Sequence, residues 1–170
     1  MVYGIYRQVP TALPERERKI AEYVLRESEL AGSVPFDAIA RDLLGVAVET
    51  KKDLRVAFST LYGCGFLRGS YETTYSIAAE AGNVSAEPYA EGPALRFVRE
   101  HAERRGGVTA GGVFDNLNAR GTRIHNESGI PYGRLDAALR SLERKKLLKA
   151  RKYVEAWETV RALPGGEISI

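Results

Sequence analysis

Apolar residues recur along this chain at helical spacing in six places. Ile20, Tyr23, Val24 and Glu27 fall on repeating turns and predict a helix from Glu15 to about Leu30. Pro14 suits its first turn, Glu15 and Glu17 suit its N-terminal dipole, and Gly32 ends it. A second helix is expected from Pro35 to Leu44, burying Phe36, Ile39, Ala40 and Leu43 before Gly45. A third spans roughly Val48 to Tyr62, with Leu54, Phe58 and Leu61 on one side and Lys51, Lys52, Arg55 and Ser59 mostly on the other. Gly63 and Gly65 break it. Phe66 to Ile77 then reads as a short hairpin turning around Gly69 and Ser70.

Residues 82–93 hold two prolines and little apolar material, so they read as a loop or linker. The same order then recurs. Helix 94–105 presents Leu95, Val98 and Ala102, and Gly106 and Gly107 end it; Thr109 can cap a helix carrying Val113, Phe114 and Leu117. A third helix runs from Pro131 to about Lys145 on Leu135, Ala138, Leu139 and Leu142. Leu147–Val154 and Trp157–Leu163 supply two strand candidates joined near Glu155 and Ala156. Spacing supports an internal duplication. Ile20 and Tyr23 match Leu95 and Val98 at an offset of 75, and Ile39 and Leu43 match Val113 and Leu117 at 74. Leu54, Phe58, Leu61 and Leu67 match Leu135, Leu139, Leu142 and Leu148 at 81, so the polar run Arg120–Gly129 is an insertion in the second copy.

Three helices followed by a two-stranded hairpin resemble the winged helix-turn-helix superfamily over about residues 13–80 and 92–163. The segment PYGRLDAALRSLERKKLLKARKYVEAWETVRAL at 131–163 carries the clearest match, and VETKKDLRVAFSTLYGCGFLRG at 48–69 is similar to it. The resemblance implies an α+β, mainly α chain of tandem winged-helix domains, each with three helices and a β-hairpin wing. The expected division is residues 1–84, a linker at 85–93, and a basic domain at 94–170. It further implies that the third helix of the second copy faces the major groove of DNA while the basic hairpin approaches the backbone.

Charge sharpens that expectation. The chain is at +3 overall, but residues 1–90 hold 10 Lys/Arg against 12 Asp/Glu, whereas 91–170 hold 15 against 10. Within 116–152, ten basic residues face only Glu127, Asp136 and Glu143. Such a segment attracts polyanions, and phosphate neutralisation is the general affinity term for nucleic acid. Arg134, outward near the start of the third helix, is the candidate base reader, with Tyr132 beside it. Arg144, Lys145, Lys146, Lys149, Arg151 and Lys152 are candidates for phosphate contact, with Lys149 and Arg151 on one strand face and Lys152 on the other. Arg140 is expected to pair with Asp136. In the first copy Lys51, Lys52 and Arg55 form the analogous face.

Other chemistry finds little support. The single Cys64 excludes an internal disulfide framework, and His101 and His125 lie far apart with no paired cysteines. The glycines at 106, 107, 111 and 112 lack a phosphate-loop context, and no acid pair is nominated, so neither enzyme activity nor a cofactor is expected. The opening ten residues show no signal-peptide pattern and no run reaches 18 apolar residues, so an intracellular protein without a membrane span is expected. The leading expectation is a sequence-specific double-stranded DNA-binding protein, a transcriptional regulator or a replication or partition factor, with a homodimer compatible. The alternative is a protein-interaction scaffold whose basic surface meets an acidic partner.

Overall fold

The computed structural model describes residues 4–5, 9, 12–78, 86–118 and 129–162. By contact the chain divides into two compact units. Unit 1 is Met1–Ser70 with Glu155–Ile170, and unit 2 is Tyr71–Val154. Whereas the sequence divides in order at 85–93, contact groups residues 71–78 with the second unit and 155–162 with the first.

Unit 1 contains β1 (Gly4–Ile5), α1 (Glu15–Ala31), β2 (Val34–Pro35), α2 (Phe36–Leu43) and α3 (Lys51–Gly63). It also holds residues 67–70 of β3 (Leu67–Ile77), residues 155–159 of β5 (Leu148–Thr159), and β6 (Arg161–Ala162). Unit 2 contains the rest of β3, α4 (Glu91–Arg105), β4 (Val108–Thr109), α5 (Ala110–Leu117), α6 (Tyr132–Arg144) and the first part of β5. The fold is thus α+β and mainly helical. The strand order is β2-β5-β3-β4, with a separate antiparallel pair of β1 and β6. In unit 1, β2 pairs antiparallel with β5, Val34 opposite Trp157 and Pro35 opposite Ala156. In unit 2, β3 pairs antiparallel with β4, Thr74 opposite Thr109 and Tyr75 opposite Val108.

Neither expected hairpin forms. Gly69 and Ser70 lie inside the continuous strand β3, and Glu155 and Ala156 lie inside β5. The physical reason is visible at Gly69. A Cβ there would sit 3.0–3.1 Å from three carbons of the Trp157 ring, so the glycine permits a close approach by an aromatic ring rather than a turn. Ala156 is fully buried and paired with Pro35, which lacks an N–H and suits the edge strand it occupies.

The helices follow the expected spacing, with shifts set by their caps. The Thr50 hydroxyl accepts from the Asp53 N–H at 3.1 Å, so α3 opens at Lys51 rather than Val48. Thr109 caps α5 in the same way, through the Gly112 N–H at 3.1 Å. Helix α4 starts at Glu91, three residues earlier than expected. The unit 1 core gathers Ile20, Val24, Ile39, Leu54, Phe58 and Leu61. In unit 2, Leu95, Val98, Val113, Leu135, Leu139 and Leu142 are buried, while Leu117 is only half-buried.

The two units repeat one plan. β2 and α2 lie 74 residues before β4 and α5, and α3 lies 81 residues before α6, each pair equal in length. Even the closing turns match. Phe66 N–H donates to Leu61 O and Gly65 N–H to Tyr62 O, just as Leu147 N–H donates to Leu142 O and Lys146 N–H to Glu143 O. Such a turn needs a left-handed residue. Gly65 supplies it at φ 82, but the second copy places Lys146 there at φ 61.

Lys146→Gly is therefore expected to stabilise the protein by about 1 kcal/mol, and Gly65→Lys to destabilise it by a similar amount. Thermal melts should separate the two variants in opposite directions from the parent. A fall in melting temperature for Lys146→Gly would show that the lysine side chain contributes more than the backbone costs.

Candidate nucleic-acid interface

The sequence nominated eleven side chains, and the structure places them in two groups. Lys51, Lys52 and Arg55 lie on α3 of unit 1. The other eight lie on α6, its closing turn and the following strand of unit 2.

On α3, Lys51 and Lys52 are exposed at the first two helical positions. Cations there oppose the helix dipole. Arg55 has an internal partner: its Nη1 donates to Glu155, and its guanidinium sits 3.8 Å from the centroid of the Phe36 ring. The Trp157 indole N–H donates to the same Glu155 oxygen at 2.8 Å. Burial pushes the Glu155 carboxyl up, but the hydrogen bonds from Arg55 and Trp157 and the Arg55 charge together hold it below the ordinary glutamate value. Arg55 thus anchors the last part of β5 onto unit 1.

On α6, Leu135, Ala138, Leu139 and Leu142 are buried, and Arg134, Ala137, Arg140 and Arg144 are exposed, as the spacing requires. Arg140 pairs with Asp136 at 3.2 Å, as expected from their spacing. Tyr132 is exposed yet packs against Phe114, the rings tilted by 42° with centroids 4.4 Å apart. Arg134 lies 5.8 Å from the Tyr89 ring centroid. Close by, the backbone N–H groups of Tyr89 and Ala90 donate to the Glu87 carboxylate and hold its carboxyl below the usual range, with a smaller contribution from Arg134. These residues border a groove of about 240 Å³ floored by Ala137, Ala138 and Ser141. The proposed base reader therefore already has an aromatic and an acidic neighbour.

Lys145 is also partnered internally. Its ammonium lies 2.7 Å from the Glu91 carboxylate, which also accepts from Ser141 Oγ at 3.2 Å. Glu91 is buried, so Lys145 has a fixed electrostatic role in the unit.

What remains is a set of exposed cations. Arg144, Lys146, Lys149, Arg151 and Lys152 form no ion pair among the described residues. Lys149 and Arg151 flank the half-buried Ala150, consistent with alternation. That alternation is interrupted at Tyr153, whose φ is 58. Arg120 and Arg123, counted in the basic segment, lie outside the described residues.

Sequence reasoning missed a second grouping in unit 2, the aromatic side chains Tyr71, Tyr75 and Tyr153 beside Tyr132 and Phe114. The two strands were read as local hairpins, and that reading separated residues which long strands bring together. No family model matches the chain, and neither does any curated protein or solved structure.

Arg55→Gln is expected to lower stability at neutral pH by about 1 kcal/mol, because the ion pair and the ring contact both disappear. Because the folded Glu155 carboxyl lies below its unfolded value, its contribution is full above the unfolded value and fades as pH falls through the folded one. Urea melts of parent and variant should therefore draw closer on acidification below about pH 4, the remaining gap being the Phe36 contact. A difference that stays constant with pH would assign the loss to the Phe36 contact alone.

Proposed function

We propose that this chain binds double-stranded DNA through unit 2, and that each unit is a winged-helix module whose sheet is completed by a strand segment distant in sequence. Three helices per unit and, besides the separate β1–β6 pair of unit 1, three sheet segments per unit support the module reading, with β2-β5-β3 in unit 1 matched by β4-β3-β5 in unit 2. In this reading the wing of unit 2 is the pairing of β5 with β3, not a local hairpin.

The duplication carries the functional argument. Positions Arg144, Lys146 and Arg151 correspond, at the offset of 81, to Gly63, Gly65 and Ser70 in unit 1. Lys149 corresponds to Arg68, which is already held by Glu158. The same scaffold therefore folds in the first copy without cations at three of these four positions and with the fourth engaged by a carboxylate. Their presence in the second, exposed and without ion pairs among the described residues, calls for an anionic partner, and duplex phosphate is the partner suited to cations along a helix end and strand. Helix α6 would lie in the major groove with Arg134 toward base edges. Lys145 and Arg55 belong to the scaffold in this reading.

Unit 1 favours a different use. Its α3 exposes Val56 and Tyr62 beside Lys51 and Lys52, and its arginine is engaged with Glu155. A protein contact, such as one between two copies of the chain, fits that face better than base reading does.

Replacing Lys149, Arg151 and Lys152 with glutamine should weaken specific and random duplexes in similar proportion. The log–log salt slope should fall by about 0.9 for each phosphate that is no longer neutralised. Fluorescence anisotropy across salt concentrations reads both quantities. Unchanged affinity in the folded triple variant at moderate salt would defeat the phosphate role.

Arg134→Gln should instead reduce preference for a selected site over random duplex, by about 1–3 kcal/mol for a bidentate base contact. Selection from random duplexes supplies the site, and competition binding supplies the ratio. Equal weakening on both duplexes would reassign Arg134 to backbone contact.

A further inference from the structure

Unit 2 carries a cleft of about 610 Å³ on the side of α6 away from the groove at Glu87 and Tyr89. Its walls hold Tyr71, Tyr75, Tyr132, Tyr153 and Phe114, so four of the chain's nine tyrosines face one opening. Packing does not explain them all. Tyr71, Tyr132 and Tyr153 are 70%, 59% and 83% exposed, and clustered exposed rings signal a contact surface more than isolated ones do.

Tyr153 adds an independent observation. It holds φ at 58 within a strand, a left-handed conformation that costs a non-glycine residue free energy, and its largely exposed ring recovers little of that by burial. The strained backbone directs an aromatic residue into the lining of the cleft.

Charge selects the ligand. Glu72, Asp136 and Glu143 line the cleft against Arg140 and Lys152. Asp136 and Arg140 largely neutralise each other at 3.2 Å. Glu143 forms no ion pair among the described residues, and one Glu72 oxygen accepts from the Gly111 N–H at 3.0 Å. Burial, then Glu143 and Asp136, push the Tyr75 hydroxyl above its ordinary value, with Arg140 opposing, so the phenol stays neutral in an acidic surrounding.

We propose that this cleft binds a small organic cation, an alkylated ammonium carrying an aromatic or aliphatic body. Its charge would lie over the tyrosine rings near Glu143 and Glu72. Ring faces attract such cations through their quadrupoles, and carboxylates at the rim add direct attraction. The proposal stands on the cleft alone and does not require that the chain bind DNA.

An NMR titration of the full chain with benzyltrimethylammonium tests it, with benzyl alcohol and benzoate as neutral and anionic controls. The ammonium should give saturable shifts at Tyr71, Tyr132 and Tyr153 and bind roughly tenfold more tightly than the alcohol. Tyr153→Gly relieves the left-handed conformation while removing the ring, so it should melt no lower than the parent yet bind roughly two- to thirtyfold more weakly. Glu143→Gln should weaken the ammonium and leave the alcohol unchanged. Absence of saturable shifts, equal binding of alcohol or benzoate, or parental affinity in both folded variants would each overturn the proposal.

Discussion

Unit 1 depends on where Trp157 comes to rest. Its ring lies on the bare backbone of Gly69 and meets Phe58 edge-on, centroids 4.8 Å apart, while Phe58 meets Phe36 at 5.6 Å. Aromatic contacts of this kind add about 0.5–1.5 kcal/mol each beyond the area they bury. Seating the indole also positions its neighbours. Glu155 reaches Arg55, Glu158 reaches Arg68 and Ser33, and Ala156 falls opposite Pro35. A turn at Gly69 would remove the surface on which this ring lies, so the straight course of β3 and the placement of β5 are one requirement.

That requirement explains what the sequence could and could not disclose. The helices were legible because each buries a stripe at regular spacing, as Leu54, Phe58 and Leu61 do, and because glycines at 32, 45, 65 and 106 take positive φ at or just beyond their ends. The offsets of 74 and 81 were legible for the same reason. The strands were not, since Gly69-Ser70 has the composition of a turn and only the distant Trp157 reveals why a glycine stands there. Among the candidate DNA contacts, exposure was legible but partnership was not. Nothing local to Arg55 announces Glu155, a hundred residues away, or local to Lys145 announces Glu91.

Duplication also separates two demands that a single domain would confound. Residues common to both copies, such as the apolar stripes of α3 and α6 and the paired closing turns, are what the scaffold needs. Some residues found in only one copy, such as Trp157, Arg55 and Lys145, serve the packing of their own unit, whereas exposed ones without ion pairs among the described residues, such as Lys146 and Arg151, are not part of the common need. The lysine at 146 makes the distinction sharp, because the equivalent Gly65 satisfies the backbone better. Lys146 therefore holds its charge in a conformation that glycine adopts at lower cost.

The course of β3 and β5 also bears on the order in which the chain acquires structure. Unit 2 is one uninterrupted segment, residues 71–154, and can form all its contacts once that segment has been made. Unit 1 is split, and its sheet waits for residues 155–159, the last β5 positions to leave the ribosome. Domains usually fold in the direction of synthesis. Here the helices of unit 1 are made before unit 2 but their unit closes after it, leaving the surface that receives Trp157 uncovered until residue 157 has been made. During that interval Phe58 and Phe36 lack their indole neighbour, and the nascent N-terminal half is a stage at which chaperone protection would have greatest value.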